Sequence, residues 1–171
     1  DIQTVLTAYI NDPVVEINDV LVTGYDFLID SSELISNTVG SWNVTTQTNL
    51  VNDTWDLNDL TVNWTSYNVP AGRDLVSVNA HFEPWRALPA VPTQTVTGAD
   101  LFHSFHITGS SVISENAIIY SMGCHGGLNL PEQNVIATHE YTGNNTVSVN
   151  PDFPQALAQK GAYMIANTGF G

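Results

Sequence analysis

The chain holds one cysteine, Cys124, so it cannot close an internal disulfide. Its fold must rest on apolar burial and backbone hydrogen bonding. Cations are nearly absent: three Lys and Arg stand against seventeen Asp and Glu, a formal net charge of −14. Nucleic acid is therefore not expected as a partner, because phosphate recognition needs clustered Lys or Arg. The acidic field favours solubility and would attract cationic ligands. No apolar run approaches the ~18 residues that cross a bilayer, so no membrane span is expected in this segment. A basic, apolar leader is missing at Asp1, and any signal peptide is expected to be absent or already removed.

What is present is a globular composition. At 171 residues and 43% hydrophobic, the chain reads as one domain over residues 1–171. A chain of this size hides roughly 70% of its unfolded surface. The Thr-, Asn- and Val-rich, Lys-poor texture points to an extracellular or cell-surface setting. Asn-x-Thr sequons at Asn43, Asn52, Asn63 and Asn144 are candidate glycosylation sites, in a composition that produces sequons readily by chance.

The hydrophobic periods alternate along the chain. Ile2, Val5, Leu6, Tyr9 and Ile10 recur at helical spacing behind Asp1, a candidate N-cap, and Pro13 stops that helix. Val20–Thr23 predicts a strand, followed by a helix from about Asp26 to Val39 that ends at Gly40. Asp53 and Thr54 are candidate caps for a helix carrying Leu57, Leu60 and Trp64. Leu75–Ala80 predicts the next strand, and Pro84–Pro92 a loop. Phe102–Ile107 alternates like a half-exposed strand or hairpin arm. Ala117–Met122 predicts a buried central strand, and the polar stretch 143–150 an insertion. Asp152 caps a helix over Phe153–Lys160, with Pro154 in its first turn and Gly161 just past its end. Ala162–Ala166 predicts a last strand. Such alternation implies an α/β fold, a mainly parallel sheet with helices on both faces. The chain starts on a helix and stops after a strand with no helix to close that face. It is therefore expected to be a fragment of a larger protein, truncated at both ends, with the rest of the parent polypeptide as a partner.

Chemistry concentrates at two strand ends. One apolar run ends at His81, and a second ends at Gly123-Cys124-His125-Gly126-Gly127. In open α/β sheets function lies beyond the carboxyl ends of the strands. A thiol needs a base to become thiolate at neutral pH, and His81 is the candidate. His125 is adjacent in sequence, but neighbours on an extended strand face opposite sides, an obstacle to direct pairing with Cys124 that a turn could evade. Gly126 and Gly127 would let a substrate backbone approach. Trp85, in the segment after His81, is a candidate pocket wall or a core aromatic. Glu83, Asp100, Glu115 and Glu132 flank the same region and are candidates to orient His81 or to receive a basic side chain. His103-x-x-His106 has metal-ligand spacing, but on a strand its side chains diverge, so no joint metal site is expected. His139 reads as a surface residue.

Val76-Ser-Val-Asn-Ala-His81 and Ile118-Ile-Tyr-Ser-Met-Gly-Cys124, in that order, resemble the caspase-like superfamily of cysteine peptidases, nearest to gingipain-like peptidases. Leu21-Val-Thr-Gly-Tyr-Asp-Phe27 and Phe153-Pro-Gln-Ala-Leu-Ala-Gln-Lys-Gly-Ala162, leading to Asn167-Thr-Gly-Phe-Gly171, extend the resemblance over most of the chain. It implies a three-layer caspase-like sandwich and a secreted or surface cysteine endopeptidase that needs no cofactor and acts on peptide or protein substrates. His81 would be the base, Cys124 the nucleophile, and the N–H groups of Phe82 and Cys124 the oxyanion hole. One side chain before the scissile bond would set specificity, and the acidic field favours a basic one. The family carries Gly after its histidine where this chain has Phe82, whose side chain would narrow the approach. Phe82→Gly is accordingly expected to keep or raise activity. The alternative expectation is a catalytically weak or inactive caspase-like module within a large extracellular surface or filament protein.

Overall fold

The computed structural model describes residues 2–67, 72–91, 101–113, 115–129 and 151–169. Asp1, Asp100, Glu132, His139, Asn144, Gly171 and the polar stretch 143–150 lie outside the described residues.

Five strands form an all-parallel sheet: β1 (Asp19–Gly24), β2 (Thr46–Val51), β3 (Leu75–Ser77), β7 (Ile118–Ser121) and β8 (Tyr163–Ala166). Their order is β2-β1-β3-β7-β8, and in-register parallel pairs join each neighbour. The runs expected as strands at residues 20–23, 75–80, 117–122 and 162–166 all belong to it, shortened or extended by a residue or a few. β2 escapes the sequence because Thr46-Gln-Thr-Asn49 is polar. It is an edge strand, half-buried or exposed along its length.

Helices cover both faces. α2 (Ile29–Gly40), entered through a short 3-10 turn at Asp26–Leu28, packs Ile35 and Val39 against Val20, Val22, Leu75 and Ile118. On the other face Leu21, Val76 and Ile119 meet Leu60 and Trp64, together with Phe153, Ala156 and Leu157. Strand side chains alternate between the two cores, as the period of two requires. Leu60 belongs to α3 (Leu57–Leu60), which continues as a π-helical turn over Thr61–Thr65. Its cap is Asp56, in a reciprocal box with Asp59, rather than Asp53. Asp53 instead accepts the Asp26 N–H at 2.8 Å. α5 (Phe153–Gln159) has the expected cap: Asp152 accepts from Gln155 N at 2.8 Å, and Gly161 follows with φ +74.

α1 (Ile2–Asn11) behaves differently from its pattern. Only Ala8 is buried, and Ile2, Leu6, Tyr9 and Ile10 turn to solvent.

A second, antiparallel sheet of β4 (His81–Glu83), β5 (Arg86–Leu88) and β6 (Phe102–His103) caps the carboxyl end of the first. The described part of the expected loop over Pro84–Pro92 thus contains β5, which pairs with β4 as one arm of a hairpin with Pro84 and Trp85 as its turn. Proline sits in that turn, where it costs no ladder bond. The turn carbonyls are used: Pro84 O accepts from Phe153 N and Trp85 O from Ser104 N, the first residues of two helices. The expected strand over Phe102–Ile107 is a two-residue strand followed by α4 (Ser104–Gly109). Six alternating residues are too few to separate the two periods, and Ile107 is buried as a helical residue.

Candidate active site

The strand order reverses between β1 and β3, since β2 lies to one side of β1 and every later strand to the other. A crevice forms at the carboxyl ends of such a pair. Tyr25, Asp26 and Phe27 follow β1 there, and His81 follows β3. Cys124 follows the next strand, β7.

Asn79 ties these ends together. Its buried side-chain amide nitrogen lies 3.0 Å from Thr23 O and 2.9 Å from Ser77 Oγ, and its oxygen accepts from Met122 N at 3.1 Å. Its own N–H reaches Thr23 Oγ1 at 3.1 Å. One buried polar residue inside an apolar run thereby joins the ends of β1, β3 and β7. Val78 N adds a bond of 2.9 Å to Tyr120 O.

Gly123 completes the approach. A Cβ there would overlap the carbonyl oxygen of Ala80 and stand 2.5 Å from Phe82 Cδ2. Glycine is thus required by contact between the two strand extensions. His81 and Cys124 each come one residue after this contact.

The turn that carries Cys124 is held from three sides. Gly123 N donates to Ser121 Oγ, His125 N to Gly169 O at 2.9 Å, and Gly127 N to Asn167 O at 2.8 Å. Asn167 Nδ2 donates back to Met122 O at 2.8 Å. His125 adopts a left-handed φ of 56, uncommon outside glycine, so Cys124 and His125 sit in a turn rather than on a strand. Cys124 is half-buried.

His81 has its own frame. The Tyr25 hydroxyl accepts from His81 N at 3.2 Å and donates to Leu88 O at 2.9 Å, bridging the end of the β4–β5 ladder. Burial pushes the Tyr25 hydroxyl up to about 12, against a weaker opposing effect of the His81 hydrogen bond. The imidazole lies against the rings of Tyr25 and Phe27, with centroids 5.6 Å and 5.5 Å away. Its Nε2 is 3.6 Å from Asp26 Oδ2. Asp26 takes a left-handed φ of 55 and is anchored by Asp53. Both partners are substantially exposed, so their pairing orients more than it stabilises. Sequence reasoning placed Asp26 only at a helix start. The legible signal was its position, two residues past the end of a buried strand.

Other candidates fall elsewhere. Phe82 is buried, its ring edge-on to Phe153 at 5.2 Å and beneath Gly123 and Gly126. It therefore supports the cysteine turn from below, and it also lines the cleft beside His81. Gly126 faces that ring with room for an ordinary 3.4 Å contact, whereas a Cβ on Gly127 would stand 2.6 Å from Ala166 O, so Gly127 serves close packing. Trp85 is buried at the hairpin turn. Glu83 is engaged by Arg86 through two bonds of 2.7 Å. Glu115 precedes β7 and lies at the opposite, amino end of the sheet, beside Asp12 and Asp74.

His103 ends β6 and His106 lies in the first turn of α4. His106 Nδ1 is 2.9 Å from His103 N, and burial lowers its proton affinity. The rings stack separately, His103 on Phe105 and His106 on Phe102. Among the described residues no cluster of His, Cys, Asp and Glu could hold a metal ion. Of the sequons, Asn43 and Asn52 are exposed, whereas Asn63 donates its amide to Asp59 O at 2.8 Å and is followed by buried Thr65.

Comparison with protein-family models, curated proteins and solved structures returned no match.

Proposed function

We propose that the chain is a secreted or surface cysteine endopeptidase domain of caspase-like type, nearest to the gingipain-like peptidases it resembles. The observation that carries this reading is the contact of Gly123 with Ala80, which sets two strand extensions side by side one residue before Cys124 and His81.

In the proposed reaction His81 takes the Cys124 proton and the thiolate attacks the scissile carbonyl carbon. Asp26, at Nε2, leaves Nδ1 for the thiol and favours the imidazolium that forms. The N–H groups of Cys124 and Phe82 hold the oxyanion, each donor worth ~3 kcal/mol. The carbon–nitrogen bond then breaks, and imidazolium gives its proton to the departing amine. Water, deprotonated by His81, cleaves the thioester and returns the thiolate and proton to the resting pair. The chemistry calls on no cofactor. The acidic field favours a basic residue before the scissile bond.

The chain's own basic residues are poor targets. Arg73 is wholly buried against Asp19 and Tyr67, Arg86 is paired with Glu83, and Lys160 donates to Ser110 O at 2.6 Å.

The test is labelling of Cys124 by a peptide-directed thiol electrophile at neutral pH, in the native chain and in His81→Ala. Equal labelling of both would remove His81 from the reaction. No labelling of either would end the peptidase reading.

A further inference from the structure

A cleft of about 280 Å³ opens beside His81, on the side of the small antiparallel sheet. Its walls are His81, Phe82, Glu83, Arg86, Leu88 and Leu101. None of the described residues of the Cys124 turn contributes. Its volume lies at the lower edge of the ~300–1,000 Å³ of pockets that enclose a small-molecule ligand. It suits one amino-acid side chain.

Leu88, Leu101 and Phe82 give the walls carbon. Among the described walls the charged pair, Glu83 and Arg86, is closed through both guanidinium–carboxylate bonds. A lysine entering would meet a carboxylate already neutralised and Arg86 beside it. An aspartate would meet a guanidinium already engaged and the Glu83 carboxylate beside it. Either would leave its own charge poorly compensated on losing water. An aliphatic side chain would bury apolar area against the leucines with no such cost.

Position says which substrate residue this is. In the proposed reaction His81 protonates the departing amine, so the leaving half of the peptide passes over His81. The thiolate side holds the acyl half. We infer that this cleft receives the side chain of the residue immediately after the scissile bond, and that it selects medium-sized aliphatic residues there. The inference rests on the peptidase reading and adds a second determinant to any preference before the bond.

The experiment digests a mixed pool of denatured proteins with the chain and reads the new N-terminal residues by mass spectrometry. Leu, Ile, Val and Met are expected about tenfold or more above Lys, Arg, Asp and Glu, the discrimination one apolar side chain can supply. Arg86→Ala removes the partner of Glu83 and should bring Lys and Arg into the enriched set. Leu88→Trp fills the cleft and should shift the preference to Gly and Ala. Cleavage with a flat or charged preference in the native chain would overturn this inference alone. Absence of any new N-termini would end the peptidase reading, and this inference with it.

Discussion

Gly123 lies against the carbonyl oxygen of Ala80, with no room between them for a β-carbon. Gly123→Ala must therefore push the β7 extension away from the β3 extension. Overpacking of this kind costs about 1–3 kcal/mol. Denaturant unfolding should show that loss, and thiol labelling of the folded variant should slow by more than stability alone explains. A variant as stable as the native chain would mean that the two extensions are not in fixed contact.

Phe82→Gly separates a supporting ring from an obstructing one. The ring packs on Phe153 and under Gly123 and Gly126. Its removal should cost at least the ~3–5 kcal/mol of a large aromatic truncation. Phe82→Leu should lose far less and keep the cysteine turn in place. Unchanged stability with faster cleavage in Phe82→Gly would support the crowding explanation.

Much of this arrangement was legible in the sequence. Apolar runs at Val20, Leu75 and Ala117 gave the inner strands because strands covered on both faces are nearly continuous in carbon, and the run at Ala162 gave the edge strand β8, apolar although Ile165 is exposed. Asp152, Pro154 and Gly161 gave α5 because caps are local chemistry. The edge strand β2 was not legible, since its exposed side chains are polar. The β4–β5 hairpin was hidden behind Pro84, which stands in the turn and not in a strand. At the site, His81 and Cys124 could be read from strand ends. Asp26 and Tyr25 could not be paired with His81, because their meeting depends on β1 lying next to β3. Asn79 looked like an interruption of an apolar run, yet it is the group on which three strand ends converge.

Asn79→Ala should therefore be costly. Met122 N would lose its acceptor, and Thr23 O and Ser77 Oγ would lose a donor. A buried group left unsatisfied costs about 1–3 kcal/mol. Hydrogen exchange should quicken at Met122 and Gly123 before the far end of the sheet is affected. Unchanged exchange at Met122 would contradict this role.

Tyr25 sets an alkaline limit. Its hydroxyl is raised from 10.0 to about 12 in the folded chain, mainly by burial. Between these values the unfolded chain sheds the proton while the folded chain keeps it. The stabilisation is complete below pH 10 and is lost as pH rises towards about 12. Tyr67 and Tyr163 shift in the same direction, so the measurement is the difference between the native chain and Tyr25→Phe. The variant should lose less stability over that window, yet be less stable at neutral pH, where His81 N and Leu88 O lose their bridge. Parallel pH curves for the two would place Tyr25 outside the frame of His81.

The catalytic assignment makes its own graded series. Cys124→Ala should abolish both peptide cleavage and electrophile labelling while leaving the fold intact, because the turn is fixed by backbone bonds. His81→Ala should lower cleavage about 10²–10⁴-fold, the usual range for a positioned base. Asp26→Asn should cost less than about tenfold, because the carboxylate is exposed and 3.6 Å from Nε2. Its loss should fall on the cleavage rate at saturating peptide and leave the apparent peptide affinity unchanged, as expected for a group that orients His81 without touching substrate. If Asp26→Asn proved as damaging as His81→Ala, Asp26 would be acting on the substrate itself. If Cys124→Ala still cleaved, the nucleophile would have to lie elsewhere.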